Sequence, residues 1–129
     1  MLSTVVLPDD NFVVSSSADR SVSVYDFRAA STGLAPATLS FMHSSTPSSV
    51  ALSPISDSQI ITGSYDGTVR LWDLRSTKSA VASFKVWGGG KKVLAVDSTS
   101  GSGSGIVGVG GEGGLEVWRV GETATTTAV

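Results

Sequence analysis

The chain has 129 residues, 16% of them charged and 40% apolar, with a formal net charge of −2 and no cysteine. That length suits one ordinary domain, and the composition excludes both a disordered chain and a strongly basic nucleic-acid binder. Without cysteine there are no disulfides, thiolate metal sites or cysteine nucleophiles. No run approaches the roughly 18 apolar residues of a membrane span, and the opening MLSTVVLPDD lacks the charged lead and apolar core of a signal peptide. The expectation is a soluble intracellular protein.

Short stretches of alternating or β-branched apolar residues predict eleven strands, at residues 3–7, 12–17, 21–27, 37–42, 48–53, 59–64, 68–74, 80–86, 92–97, 105–109 and 114–120. No segment has a 3.6-residue apolar period, so helices should be nearly absent. The Tyr65-Asp66-Gly67 turn carries the Asp-Gly pair that tight hairpins prefer. STSGSGSG (98–105) reads as a flexible loop by composition, and Glu122 to Val129 as a disordered tail.

A hairpin recurs along the chain. FVVSSSADRSVSVYDFR (12–28), QIITGSYDGTVRLWDLR (59–75) and IVGVGGEGGLEVWR (106–119) align on Tyr25, Trp72 and Trp118, spaced 47 and 46 residues apart, with Asp19, Asp66 and Glu112 six residues before each aromatic. A strand-built period of this length is the signature of a β-propeller array.

The middle copy resembles a WD-repeat blade. His43 lies seven residues before Val50 of VALSP, where that family has its Gly-His histidine, and Thr62, Asp66 and Trp72 fall on the other positions of its buried hydrogen-bond tetrad. The first copy keeps Ser15, Asp19 and Tyr25. The third departs most: Gly108 aligns with the hydroxyl position, Glu112 replaces the Asp, and no His precedes it. The resemblance implies an all-β WD-repeat propeller part with three four-stranded blades at about 1–43, 44–87 and 88–121, the last incomplete, as a piece of a seven-bladed ring. Three blades cannot close a ring, so two apolar faces should stand open. Val5, Val13, Val22 and Val24 at the front, and Val93, Val107, Leu115 and Val117 at the back, are the residues expected at or near them.

The order of SSSADRSVSVYDFR, MHSSTPSSVALSP, WDLRSTKSA and KVLAVD is similar to the last three blades of the WD-repeat subunits of the nucleolar PeBoW complex. That resemblance implies a non-catalytic scaffold in large ribosomal subunit (60S) biogenesis and pre-rRNA maturation, in the nucleolus and nucleoplasm. Its partners would be a second WD-propeller protein of the complex and pre-60S particles. Family members also carry an N-terminal ubiquitin-like domain that engages an ATPase remodeller. That domain and four further blades are absent from this sequence, so the expectation is a partial chain. WD propellers usually meet partners through loops of the top face, where Tyr65, Thr46, Ser48, Lys91 and Lys92 would lie.

A rival reading comes from VRLWDLR and VSVYDFR, which fit the box of WD proteins that dock on a cullin ubiquitin ligase adaptor, with Arg28 and Arg75 as contacts. No cofactor or metal is expected. Gly108, Gly110 and Gly113 satisfy a dinucleotide fingerprint, but a strand follows where a helix is required. WGGGKK (87–92) lacks the Ser or Thr that a P-loop needs after its lysine. His43 is the single histidine, and a Ser-His-Asp triad drawn through it and Asp66 lacks an elbow and oxyanion donors.

Overall fold

Alternation of inward apolar and outward polar residues, broken by short polar turns, folds the chain into antiparallel meanders. The computed structural model describes residues 2–7, 12–26, 39–54, 58–101, 104–121 and 125–126. The first sheet holds β1 (Ser3–Val6), β2 (Phe12–Ser16), β3 (Ser21–Asp26) and β4 (Leu39–Met42) in chain order. The second holds β5 (Pro47–Leu52), β6 (Gln59–Ser64), β7 (Thr68–Asp73) and β8 (Ala82–Lys85). The third holds β9 (Val93–Gly101), β10 (Ser104–Gly111), β11 (Gly114–Gly121) and β12 (Thr125–Thr126). No helix occurs among the described residues.

Two expectations fail in the third sheet. The stretch expected as a loop at 98–105 is strand on both sides: β9 runs to Gly101, β10 starts at Ser104, and Ser98 pairs with Val107. Ladder hydrogen bonds from a long partner strand outweigh the weak propensity of Ser and Gly. The tail also contributes a strand. Thr125 and Thr126 pair with Val120 and Arg119, so the third sheet has four strands rather than three. Residues 122–124 and 127–129 lie outside the described residues.

The sheets pack face against face. Val14, Val22, Val24 and Phe41 of the first meet Val50, Ile60 and Trp72 of the second. Ala51, Ile61 and Val69 of the second meet Val93, Val96, Val107 and Val109 of the third. Each large aliphatic side chain so buried contributes roughly 1.5–3 kcal/mol. The aromatic packing repeats: Phe41 on β4 lies 4.7 Å from Trp72 on β7, and Phe84 on β8 lies 5.8 Å edge-on from Trp118 on β11. Each fourth strand thus sets a phenylalanine against the third-strand tryptophan of the next sheet.

Serine hydroxyls stitch the first strands of neighbouring sheets. The Val50 N–H donates to Ser3 Oγ at 3.2 Å, Ser49 Oγ accepts from the Val96 N–H at 3.1 Å, and Ser98 Oγ donates to the Leu52 carbonyl at 2.5 Å. The second and third sheets approach closely at Gly63, where an added Cβ would fall 2.5 Å from Val93 and 2.6 Å from Val96.

The expected list of open-face residues needs correction. Val22, Val24, Val93 and Val107 are buried in the seams between sheets. Strand parity explains it, since a residue that faces the neighbouring sheet alternates with one that does not. Among the described residues, exposed apolar side chains are Leu2, Val6 and Met42 on the first sheet, and Leu94, Ile106 and Leu115 on the third. Val22 and Val69 lie opposite Phe41 and Phe84 in the strand register and are covered, whereas Leu115 is 70% exposed.

Candidate binding face and the hydrogen-bonded core beneath it

His43, in the connection from β4 to β5, is 3% exposed and sits 5.6 Å from the Trp72 ring. Thr62 on β6 is fully buried. Its hydroxyl oxygen accepts from the Trp72 indole N–H at 2.9 Å and lies 3.0 Å from His43 Nε2. A longer contact of 3.5 Å from the Ser45 N–H reaches His43 Nδ1. Both contacts suit a neutral ring protonated at Nε2. Burial first, then the positive charge of Arg70, lowers the His43 pKa to about 4 against opposing effects of Ser45 and Asp66.

Asp66, expected as the fourth member of this set, is held elsewhere. Its carboxylate accepts from Ser64 Oγ at 2.5 Å, the Thr68 N–H at 3.1 Å and Arg70 at 2.9 Å. Arg70 lies four residues on, also donates to Ser64 Oγ at 3.0 Å, and supplies a full charge where a neutral imidazole offers none. Burial pushes the Asp66 carboxyl up, but the bonds from Arg70, Ser64 and Thr68 outweigh it and bring the pKa down to about 2. The expected tetrad therefore separates into a His43–Thr62–Trp72 chain and an Asp66–Arg70–Ser64 turn lock. His43 and Asp66 act on each other only through space.

The first and third copies use their acids differently. Asp19 is exposed and accepts from the Ser21 N–H and hydroxyl at 2.9 and 2.6 Å. Glu112 accepts the Lys92 N–H at 2.9 Å, and its own N–H donates to the Lys92 carbonyl at 3.0 Å. The strand register also revises the third copy. Thr62 pairs with Arg70, Ser15 with Ser23, and Val109 with Glu116, so Val109, not Gly108, occupies the hydroxyl position. The third hairpin is one residue shorter, and its buried valine leaves no hydroxyl to satisfy.

At the same end of the sheets, Tyr65, Thr46 and Lys92 come together. The Tyr65 N–H donates to the Thr46 carbonyl at 3.0 Å, and Lys92 Nζ lies over the Tyr65 ring at 4.7 Å. Lys91 is exposed beside it. Ser48 belongs to the seam instead: its hydroxyl donates to the Val93 carbonyl at 2.5 Å and to the Gly63 carbonyl at 3.1 Å. Of the glycines readable as a nucleotide fingerprint, Gly113 serves packing, whereas Gly108 and Gly110 have open space where a Cβ would be. A Cβ at Gly113 would fall 2.4 Å from the Trp87 ring, and one at Gly111 would fall 2.7 Å from it. Sequence reasoning missed this seat, although Trp87 and the Gly110–Gly114 run were both visible.

At the opposite hairpin end, Arg75 binds Asp73 through Nε at 3.0 Å and Nη2 at 2.7 Å. Its own bonds to that carboxylate hold the Asp73 pKa at about 2. Arg28 lies outside the described residues. Among the described residues no group of three His, Asp or Glu could hold a metal ion, and no helix is long and apolar enough to cross a membrane.

The WD domain, G-beta repeat family model matches residues 2–26, which hold β1 to β3, and 37–73, which hold β4 to β7. The chain is similar to "Ribosome biogenesis protein YTM1" of Laccaria bicolor, 53% identical over 122 residues that cover 94% of this chain and 26% of that protein. It is 54% identical to the protein of the same name from Coprinopsis cinerea over 105 residues, 81% of this chain and 22% of the relative. The Aspergillus oryzae relative is 30% identical over 131 residues, covering 95% and 27%. The chain spans about a quarter of the length of these curated relatives. With two matched repeats, a third sheet of the same build and the His-Thr-Trp chain at the first seam, this chain belongs to the WD-repeat family.

Proposed function

We propose that this chain is part of a non-catalytic, protein-binding WD-repeat scaffold that acts in large ribosomal subunit biogenesis and pre-rRNA maturation, in the nucleolus and nucleoplasm. The observation that carries the reading is the likeness, over 94% of the chain, to a protein named for ribosome biogenesis. The geometry is in keeping with it. His43, Thr62, Asp66 and Arg70 are engaged in structural hydrogen bonds, which suits a rigid platform with no chemistry of its own.

In this reading the partners are a second WD-propeller protein of the PeBoW complex and pre-60S particles. Engagement of the ATPase remodeller belongs to an N-terminal domain outside these 129 residues. Tyr65, Thr46 and Lys92 form the partner-facing group, an aromatic beside a cation being a common hot-spot composition, with Lys91 next to them. Ser48 supports the group from the seam.

Affinity purification of the tagged full-length protein, followed by mass spectrometry and RNA analysis, tests the proposal. Large-subunit precursors and a second propeller protein should co-purify. Recovery of a cullin adaptor without precursor particles would overturn it. No geometric observation favours the adaptor reading, because the Arg75 guanidinium is bound to Asp73 within its own hairpin.

A further inference from the structure

The loop from Val86 to Lys92 is fastened at both ends and open in the middle. At its start the Val86 and Trp87 N–H groups both donate to the Gly67 carbonyl, at 2.8 and 3.3 Å. Gly67 is left-handed (φ +80), and a Cβ there would fall 2.4 Å from the Trp87 carbonyl oxygen and 2.8 Å from that of Lys91. The Trp87 ring rests on Gly113. At the end of the loop, Glu112 takes the Lys92 N–H and Lys92 lies over Tyr65. Between these fastenings Gly88, Gly89 and Gly90 have open space where side chains would be, and Gly89 and Gly90 are left-handed at φ +70 and +76. Gly89 and Gly90 form the turn of the tip, and the N–H groups of Gly88, Gly89 and Gly90 donate no hydrogen bond within the described residues. Lys91 and Lys92 follow, both exposed.

We propose that this loop tip is an anion site that holds phosphodiester groups of an RNA strand without reading its sequence. The proposal rests on the reading that the chain works in ribosome assembly. Free backbone N–H groups beside glycine let an oxyanion approach the main chain closely, and two ammonium groups supply the charge. The fastenings fix the tip before any ligand arrives, which lowers the ordering cost of binding. The acids of the adjoining turns are already engaged: Asp66 by Arg70, and Glu112 by the Lys92 backbone. A phosphodiester is favoured over a phosphorylated side chain because doubly charged phosphomonoesters are met by forked arginines. The arginine of the clamping hairpin, Arg70, is committed to Asp66 and Ser64.

Fluorescence anisotropy of the full-length protein with two unrelated single-stranded RNAs tests this. In K91Q/K92Q both RNAs should weaken alike, by about tenfold at low salt, and the slope of log affinity against log salt should fall by about 0.7 per lysine. Lys91→Gln alone, a side chain with no hydrogen bond or ion pair among the described residues, should lower the slope by about 0.7 without disturbing the Tyr65 contact. Unchanged affinity and slope, a loss confined to one RNA sequence, or an effect seen only with a phosphoserine peptide would each overturn the proposal. Failure of the wild-type protein to co-purify would count against the proposed function, and loss of the RNA effect against the loop alone.

Discussion

Replacing Thr62 with valine removes one oxygen and keeps the shape of a fully buried, β-branched side chain. That oxygen is the meeting point of the Trp72 indole at 2.9 Å and His43 Nε2 at 3.0 Å. No water can replace it in a site with no exposed surface, so two donors lose their acceptor. Each orphaned donor costs about 1–3 kcal/mol, which places the loss at roughly 2–6 kcal/mol. That is a large share of the stability of a typical domain. Urea unfolding of the full-length protein, followed by tryptophan fluorescence, measures it. Thr62→Ser, which restores the oxygen and removes only a methyl, should recover most of the loss. The reasoning is refuted if Thr62→Val unfolds within about 0.5 kcal/mol of the wild type, the range of an ordinary surface change.

Asp66→Ala should cost less than Thr62→Val, about 1–2 kcal/mol in the same assay, because its site is partly solvated and Arg70 keeps Ser64 as a partner. Stability should fall in two acid steps. The folded His43 pKa of about 4 lies below the ordinary 6.5, so the unfolded chain takes up the proton first, and stability drops between pH 6.5 and 4 by no more than about 3 kcal/mol. Asp66, at about 2 against 3.8, holds its contribution above pH 3.8 and loses it as pH falls toward 2. His43→Gln should abolish the first step in a pH series of melts and leave the second. Gly63→Val should force the second and third sheets apart at Val93 and Val96 and cost about 1–3 kcal/mol. Faster amide exchange in β9 than in β2 would report that local opening.

The strands were legible because their signal is local. Alternation in Thr68–Asp73 and the Asp-Gly turn before it fix a hairpin without any distant contact. The His43–Thr62–Trp72 chain was legible through the resemblance to a WD-repeat blade, whose tetrad positions these residues match. The position of Asp66 was not. Its partner depends on Arg70, which stands beside it only once the hairpin closes, and a charged donor displaces a neutral one. The Val109 position was hidden by a hairpin one residue shorter, which keeps the aromatic in line and shifts everything before the turn. The serine stitches and the Trp87 seat join residues of different sheets. Ser49 and Val96, or Trp87 and Gly113, carry no mark in the sequence that says they will meet. The same holds for Ser48, whose hydroxyl turns to the Val93 carbonyl rather than toward a partner.

The central claim is that these blades serve a scaffold needed to build the large ribosomal subunit. Conditional depletion of the full-length protein, followed by sucrose-gradient profiles and pre-rRNA analysis, tests it most directly. Free large subunits should fall relative to small ones and large-subunit rRNA precursors should accumulate, with both restored by the wild-type gene. Restoration should be weaker for Thr62→Val than for Asp66→Ala. Normal subunit ratios and normal precursor levels after complete depletion would contradict it.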